Sequence, residues 1–151
     1  MNATNKLSAI KINSLEEISK FYKKLEYTMK EYIKLEDTKR IILGRIKYWN
    51  KEYNLEKNDE AKKRITKNVK LFGKTVKDIN AEMHELKKKI KNLIKEYIIL
   101  KEDVVISSEE KEKNKEQKIY EIFNNIYERN KAEYYKNKKN KFKMFSEIVA
   151  Q

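Results

Sequence analysis

The chain contains no cysteine and no proline, and glycine occurs only twice, at Gly44 and Gly73. Without cysteine there are no disulfides, thiolate nucleophiles or cysteine-based zinc sites. Without proline and with so little glycine, the many tight turns of a β-sheet are not available. Histidine is equally scarce: His84 is the one imidazole. It stands beside Met83 on the flank of an apolar stripe and reads as a solvated helix residue. No apolar run approaches the roughly 18 residues that span a bilayer, and Met1 to Asn13 lack the apolar stretch of a secretory signal. These absences predict a chain that is not inserted in a membrane, with the cytoplasm as its compartment, no cofactor and no small-molecule substrate.

What is present is charge. Charged residues make up 40% of the 151 residues against 39% apolar, a ratio that suits long thin helices better than a compact core. The net charge of +13 points to a polyanion partner, nucleic acid or an anionic membrane. Only four of the 37 basic residues are arginine, the side chain whose planar fork grips phosphate, which weakens the case for a dedicated phosphate reader.

Ser14-Leu15-Glu16-Glu17 has the form of a capping box and is expected to open helix one. Leu15, Ile18, Tyr22, Leu25, Met29 and Tyr32 follow at alternating steps of three and four, a heptad seam. The line then passes through Leu35, Lys39, Ile42, Ile46, Trp49 and Tyr53 with one extra step of three, a stammer. Residues 54–59 are the expected turn, with Asn58 or Asp59 as the cap of helix two. Helix two carries the strongest pattern. Ile65, Val69, Phe72, Val76, Ile79, Met83, Leu86, Ile90, Leu93, Tyr97 and Leu100 alternate steps of four and three without a fault. So strict a period predicts a coiled-coil partner rather than a simple amphipathic surface helix.

The β-branched run Val104-Val105-Ile106 precedes a second capping-box pattern, Ser107-Ser108-Glu109-Glu110, so a break is expected near 104–107. Helix three follows to about residue 150, with Ile119, Phe123 and Ile126 on its seam and Asn130 and Asn137 interrupting it. The expected fold is all-α in a single domain, an elongated antiparallel coiled-coil hairpin with a third helix after the break. Helix one is placed at about 14–53, helix two at about 59–103 and helix three at about 108–150. If helix three folds back, a three-helix bundle results; if it continues helix two, a long arm overhangs helix one.

Catalysis finds little footing. The carboxylate pairs Glu16–Glu17 and Glu109–Glu110 sit in expected first turns, where negative charge suits the helix dipole. Gly73-Lys74-Thr75 has the form of the end of a phosphate-binding loop, but Asn68 stands where its first glycine belongs, and the tripeptide lies inside the helix-two seam. A non-enzymatic role is therefore expected.

The binding candidates are basic and aromatic. From Arg129 to Lys143 the chain holds seven basic residues against one acid, Glu133, after a more acidic stretch at 108–128. Lys136, Lys138, Lys139, Lys141 and Lys143 interleave there with Tyr134, Tyr135 and Phe142. Such a mixture suits an acidic protein surface or stacking on single-stranded bases. Near the turn, Trp49 and Tyr53 lie on the seam and read as its cap, while Tyr48 lies off it and is the surface candidate.

Leu7-Ser8-Ala9-Ile10-Lys11-Ile12, the polar turn at 54–59 and the basic-aromatic stretch from Tyr134 to Phe145 together resemble the small stalk proteins of type III export machines, the flagellar FliJ and injectisome YscO/InvI group. The resemblance covers the whole chain in architecture and assigns no individual binding residue. It implies a non-enzymatic coiled-coil stalk seated in a hexameric export ATPase and contacting the export gate. The expected break near 104–107 departs from that family, whose second arm is normally continuous. The expected function is thus a stalk or scaffold that docks protein partners; the alternative is a basic helical protein that binds nucleic acid.

Overall fold

A computed structural model describes residues 2–101 and 108–150, with side chains described for 15–101, 115–144 and 148. All the described secondary structure is helical: α1 (Asn2–Leu55), α2 (Asp59–Lys101) and α3 (Ser108–Ala150). The expected break near 104–107, with the Ser107 cap, falls on residues outside the described ones.

α1 starts at Asn2, not at the capping box. Residues 2–13 hold no proline or glycine to stop a helix, and Ala3, Leu7, Ala9 and Lys11 favour one, so Ser14 lies inside the helix. The turn lies where it was expected, at 56–58. Asn58 is the cap: its Oδ1 accepts from the Glu60 N–H at 2.9 Å and the Ala61 N–H at 3.5 Å. The Glu56 carboxylate accepts from the Asn58 N–H at 3.1 Å, and Asp59 and Glu60 place negative charge in the first turn of α2. The Lys62 ammonium crosses the turn to lie 5.3 Å from the Tyr53 ring centre.

Internal packing divides the chain into two units. Tyr32–Lys87 is one, an antiparallel hairpin of the second part of α1 and the first part of α2. Met1–Glu31 with Lys88–Gln151 is the other, and brings α1, α2 and α3 together. In this three-helix unit the Tyr22 and Tyr97 rings meet at 5.9 Å, joining α1 to α2. Arg129 bonds to Tyr22 and Glu26, joining α3 to α1. Helix three thus folds back against the other two. The overhanging arm is not what forms, and neither is the continuous second arm of the stalk family.

The two units explain why the α2 seam is unevenly buried. In the hairpin unit Ile65 and Ile79 are buried, but Val69, Phe72, Val76, Met83 and Leu86 are only half-buried, because one partner helix covers only part of most seam side chains. In the three-helix unit Ile90 and Ile94 are fully buried, and Leu93 and Ile98 nearly so. Ile94 and Ile98 lie off the heptad line. They widen the apolar stripe into the broader face that a helix needs when it packs against two neighbours.

α1 departs from its expected seam. Leu15 is 64% exposed, and the most buried line runs Leu25, Met29, Ile33, Asp37 in steps of four, leaving Tyr32 and Leu35 half-buried. The stammer is thus taken up by rotation of the inward face. That rotation brings in Asp37, whose Oδ1 accepts from Arg40 Nη2 at 2.8 Å, a bond that keeps the carboxylate charge-paired.

α3 buries Ile119, Ile126 and Asn130. Asn130, expected to interrupt the line, continues it. Its Nδ2 donates to the Ile126 carbonyl at 2.7 Å, so the amide is satisfied within its own helix. Asn137 is exposed and does interrupt.

Candidate functional site

α3 changes character along its length. Phe123 and Tyr127 stack at 6.2 Å, the Lys131 ammonium lies 5.1 Å from the Tyr127 ring centre, and Arg129 fastens the helix to α1. The bond to Tyr22, then the nearby Glu26 carboxylate, raises the Arg129 pKa and keeps that cation charged at any ordinary pH. Beyond Asn130 none of the described side chains is buried. Tyr134 and Tyr135 are half-buried and meet edge to face at 5.3 Å. Lys136, Lys138, Lys139, Lys141 and Lys143 are all exposed. So are Phe142 at 72%, Met144 at 63% and Ile148 at 67%.

The sequence candidates therefore split. Phe142 and the five lysines are all exposed on the last turns of α3, distributed around the helix rather than along one face. Tyr134 and Tyr135 spend part of their area on the helix and on each other, so they offer less to a partner than the interleaving pattern suggested. Met144 and Ile148 are exposed together on a different face of the helix from Phe142 and were not singled out as binding candidates from sequence, since an apolar residue at a helix end gives no sign of whether it is covered. Exposed apolar side chains set among cations are what a protein interface needs: area to desolvate at its centre and charge to steer approach at its rim.

Tyr48 belongs to the hairpin unit and is 57% exposed, packed edge to face on half-buried Trp49 at 5.6 Å. Tyr53, expected to be covered as part of the cap, is 40% exposed, with Lys62 over its ring. His84 is exposed on α2, and Gly73, Lys74 and Thr75 are helical, with the Thr75 hydroxyl donating to the Leu71 carbonyl at 3.0 Å.

One cleft of about 450 Å³ lies within the three-helix unit, lined among others by Tyr22, Tyr97, Ile98, Glu121, Ile122 and Ile126. Its rim includes Lys101, the last described residue of α2. Among the described residues no cluster of histidines and carboxylates has the arrangement of a metal site, and no helix is long and apolar enough to cross a membrane. No family model, curated protein or solved structure matches the chain.

Proposed function

We propose that this chain is a non-enzymatic helical scaffold that docks a protein partner through the end of α3, and that its specific form is the central stalk of a type III export ATPase. The observation that carries the docking role is the exposed end of α3: Phe142 stands uncovered on one side of the helix and Met144 and Ile148 on the other, with Lys136, Lys138, Lys139, Lys141 and Lys143 exposed around them. The fit is to an acidic surface with an apolar hollow. The lysines would raise the encounter rate, and Phe142 would supply most of the buried area. Upstream, the Arg129 contacts and the buried Ile126 and Asn130 side chains hold the helix that carries these residues.

The stalk form draws on the resemblance of the opening Leu7–Ile12 run, the turn and the basic-aromatic end to that family. The folded-back third helix is a departure that the stalk form must accommodate.

The docking role is tested by a photo-crosslinking residue placed at position 142 of the full chain, in cells, with nuclease added before analysis. The expected product is a covalent adduct with one defined acidic protein, lost when Lys139→Glu and Lys141→Glu are added. An unchanged chain with no adduct would remove the docking role. An adduct with a protein unrelated to export would remove the stalk form alone.

A further inference from the structure

A second basic surface lies on the hairpin unit, and its make-up differs from that of the α3 end. Between Glu60 and Asp78 the chain has seven basic residues and no acid. Five of them, Lys63, Lys67, Lys70, Lys74 and Lys77, follow one another at steps of four, three, four and three. Each stands two residues before a seam residue, Ile65, Val69, Phe72, Val76 and Ile79 in turn. Two residues turn a helix by about 200°, so the row runs along the face of α2 opposite the seam. All five are exposed, and none is ion-paired among the described residues. The row is about 21 Å long at 1.5 Å per residue. Arg64 is exposed beside it.

The chemistry of the row selects its partner. A membrane-surface helix needs an apolar face to sink among the acyl chains, and a protein interface needs a desolvated aromatic or aliphatic centre. The row has neither: no apolar residue falls on it, and exposed Leu71 lies to one side. A nucleic-acid backbone asks for cations in line and little else, because phosphate contacts position the ligand without reading its bases. We propose that the Lys63–Lys77 face of α2 binds the phosphate backbone of nucleic acid without sequence preference. This site is separate from the protein-docking end of α3, where lysines alternate with exposed apolar side chains.

The test is fluorescence anisotropy with the full chain and a labelled duplex of about 20 base pairs, between about 50 and 200 mM salt. The expected affinity is in the range of nonspecific binders, with a log–log salt slope of about −4.5 if the five lysines each displace a counterion. Lys67→Gln with Lys70→Gln and Lys74→Gln weakens binding at least tenfold at low salt and reduces the slope by about 3 units. Replacing the same three by arginine retains binding. Lys139→Gln with Lys141→Gln and Lys143→Gln changes it by less than threefold, which separates this site from the α3 end. Circular dichroism checks that each variant keeps its helix. Any of three results overturns the proposal: no binding by the intact chain, undiminished binding by the α2 glutamine variant, or tighter binding of phosphatidylserine vesicles or polyglutamate than of the duplex through the same row.

Discussion

Arg129 of α3 bonds to the Tyr22 hydroxyl and the Glu26 carboxylate, one helical turn apart on α1, while its guanidinium carbon lies 5.4 Å from the Tyr22 ring centre. One side chain thus joins helices whose residues are about a hundred positions apart in sequence, a long-range tie no local pattern could announce. The Arg129 side chain is 57% exposed, so the tie is solvent-screened and modest. Arg129→Met is expected to lower stability by about 1 kcal/mol. The melting temperature should fall by a few degrees, and the difference should shrink at high salt. A fall of more than about 3 kcal/mol would mean that the guanidinium is buried in solution.

Truncation along α2 should cost according to burial. Ile94 is fully buried between helices, and Ile94→Ala is expected to cost about 3 kcal/mol through lost burial and the cavity left behind. Leu71, 58% exposed on the same helix, should cost under about 0.5 kcal/mol when truncated. Denaturant midpoints of the two variants check this. Equal losses would place Ile94 outside a three-helix core.

Gly44 and Gly73 lie mid-helix, and an added Cβ at either meets nothing within 4 Å. Neither residue has a positive φ. Alanine at each position should therefore stabilise by roughly 0.5–1 kcal/mol, through the smaller entropy of the unfolded chain and better helix propensity. Thermal melts of the single and double variants give the measurement. A destabilised variant would show that the glycine admits a neighbour that the isolated chain lacks.

Tyr32 contributes to the loss of stability at alkaline pH. Burial, and then the Glu36 carboxylate, hold its phenol above the ordinary value of 10.0. Its contribution to stability is complete below the unfolded pKa and is lost as pH rises through the folded one, because the unfolded chain gives up the proton first. Ultraviolet difference titration should show a phenol ionising late. Tyr32→Phe should remove that phenol and flatten the loss of stability above pH 10. A single phenol transition at the ordinary value would contradict the burial.

The helical fold was legible in the sequence because the α2 seam keeps its period from Ile65 to Leu100, and because Asn58 followed by acidic residues marks a helix start. The fold-back of α3 was legible too, in Ile94 and Ile98, which widen the stripe where a second neighbour packs. Asn130 read as an interruption since composition cannot tell an amide that is bonded within its own helix from one facing water. The start of α1 was displaced by a capping-box pattern that carries weight only where the backbone stops being helical.

The candidate site was half legible. The excess of lysine after Arg129 is plain in the sequence, but the exposure of Phe142 and the partial covering of Tyr134 and Tyr135 depend on where burial ends along α3. The lysine row of α2 was present in the sequence at the same period as the seam, two residues out of phase, and was hidden by the apolar signal beside it.

The docking role of the α3 end, in its specific stalk form, meets its most direct test in sedimentation of the full chain with a purified hexameric export ATPase. The account predicts that the chain travels with the ring, and that Phe142→Ala combined with Lys139→Glu and Lys141→Glu weakens the complex by at least about tenfold, as loss of an interface anchor and its steering charges should. A chain that sediments apart from the ring, or a triple variant that binds it as tightly as the original, would contradict it.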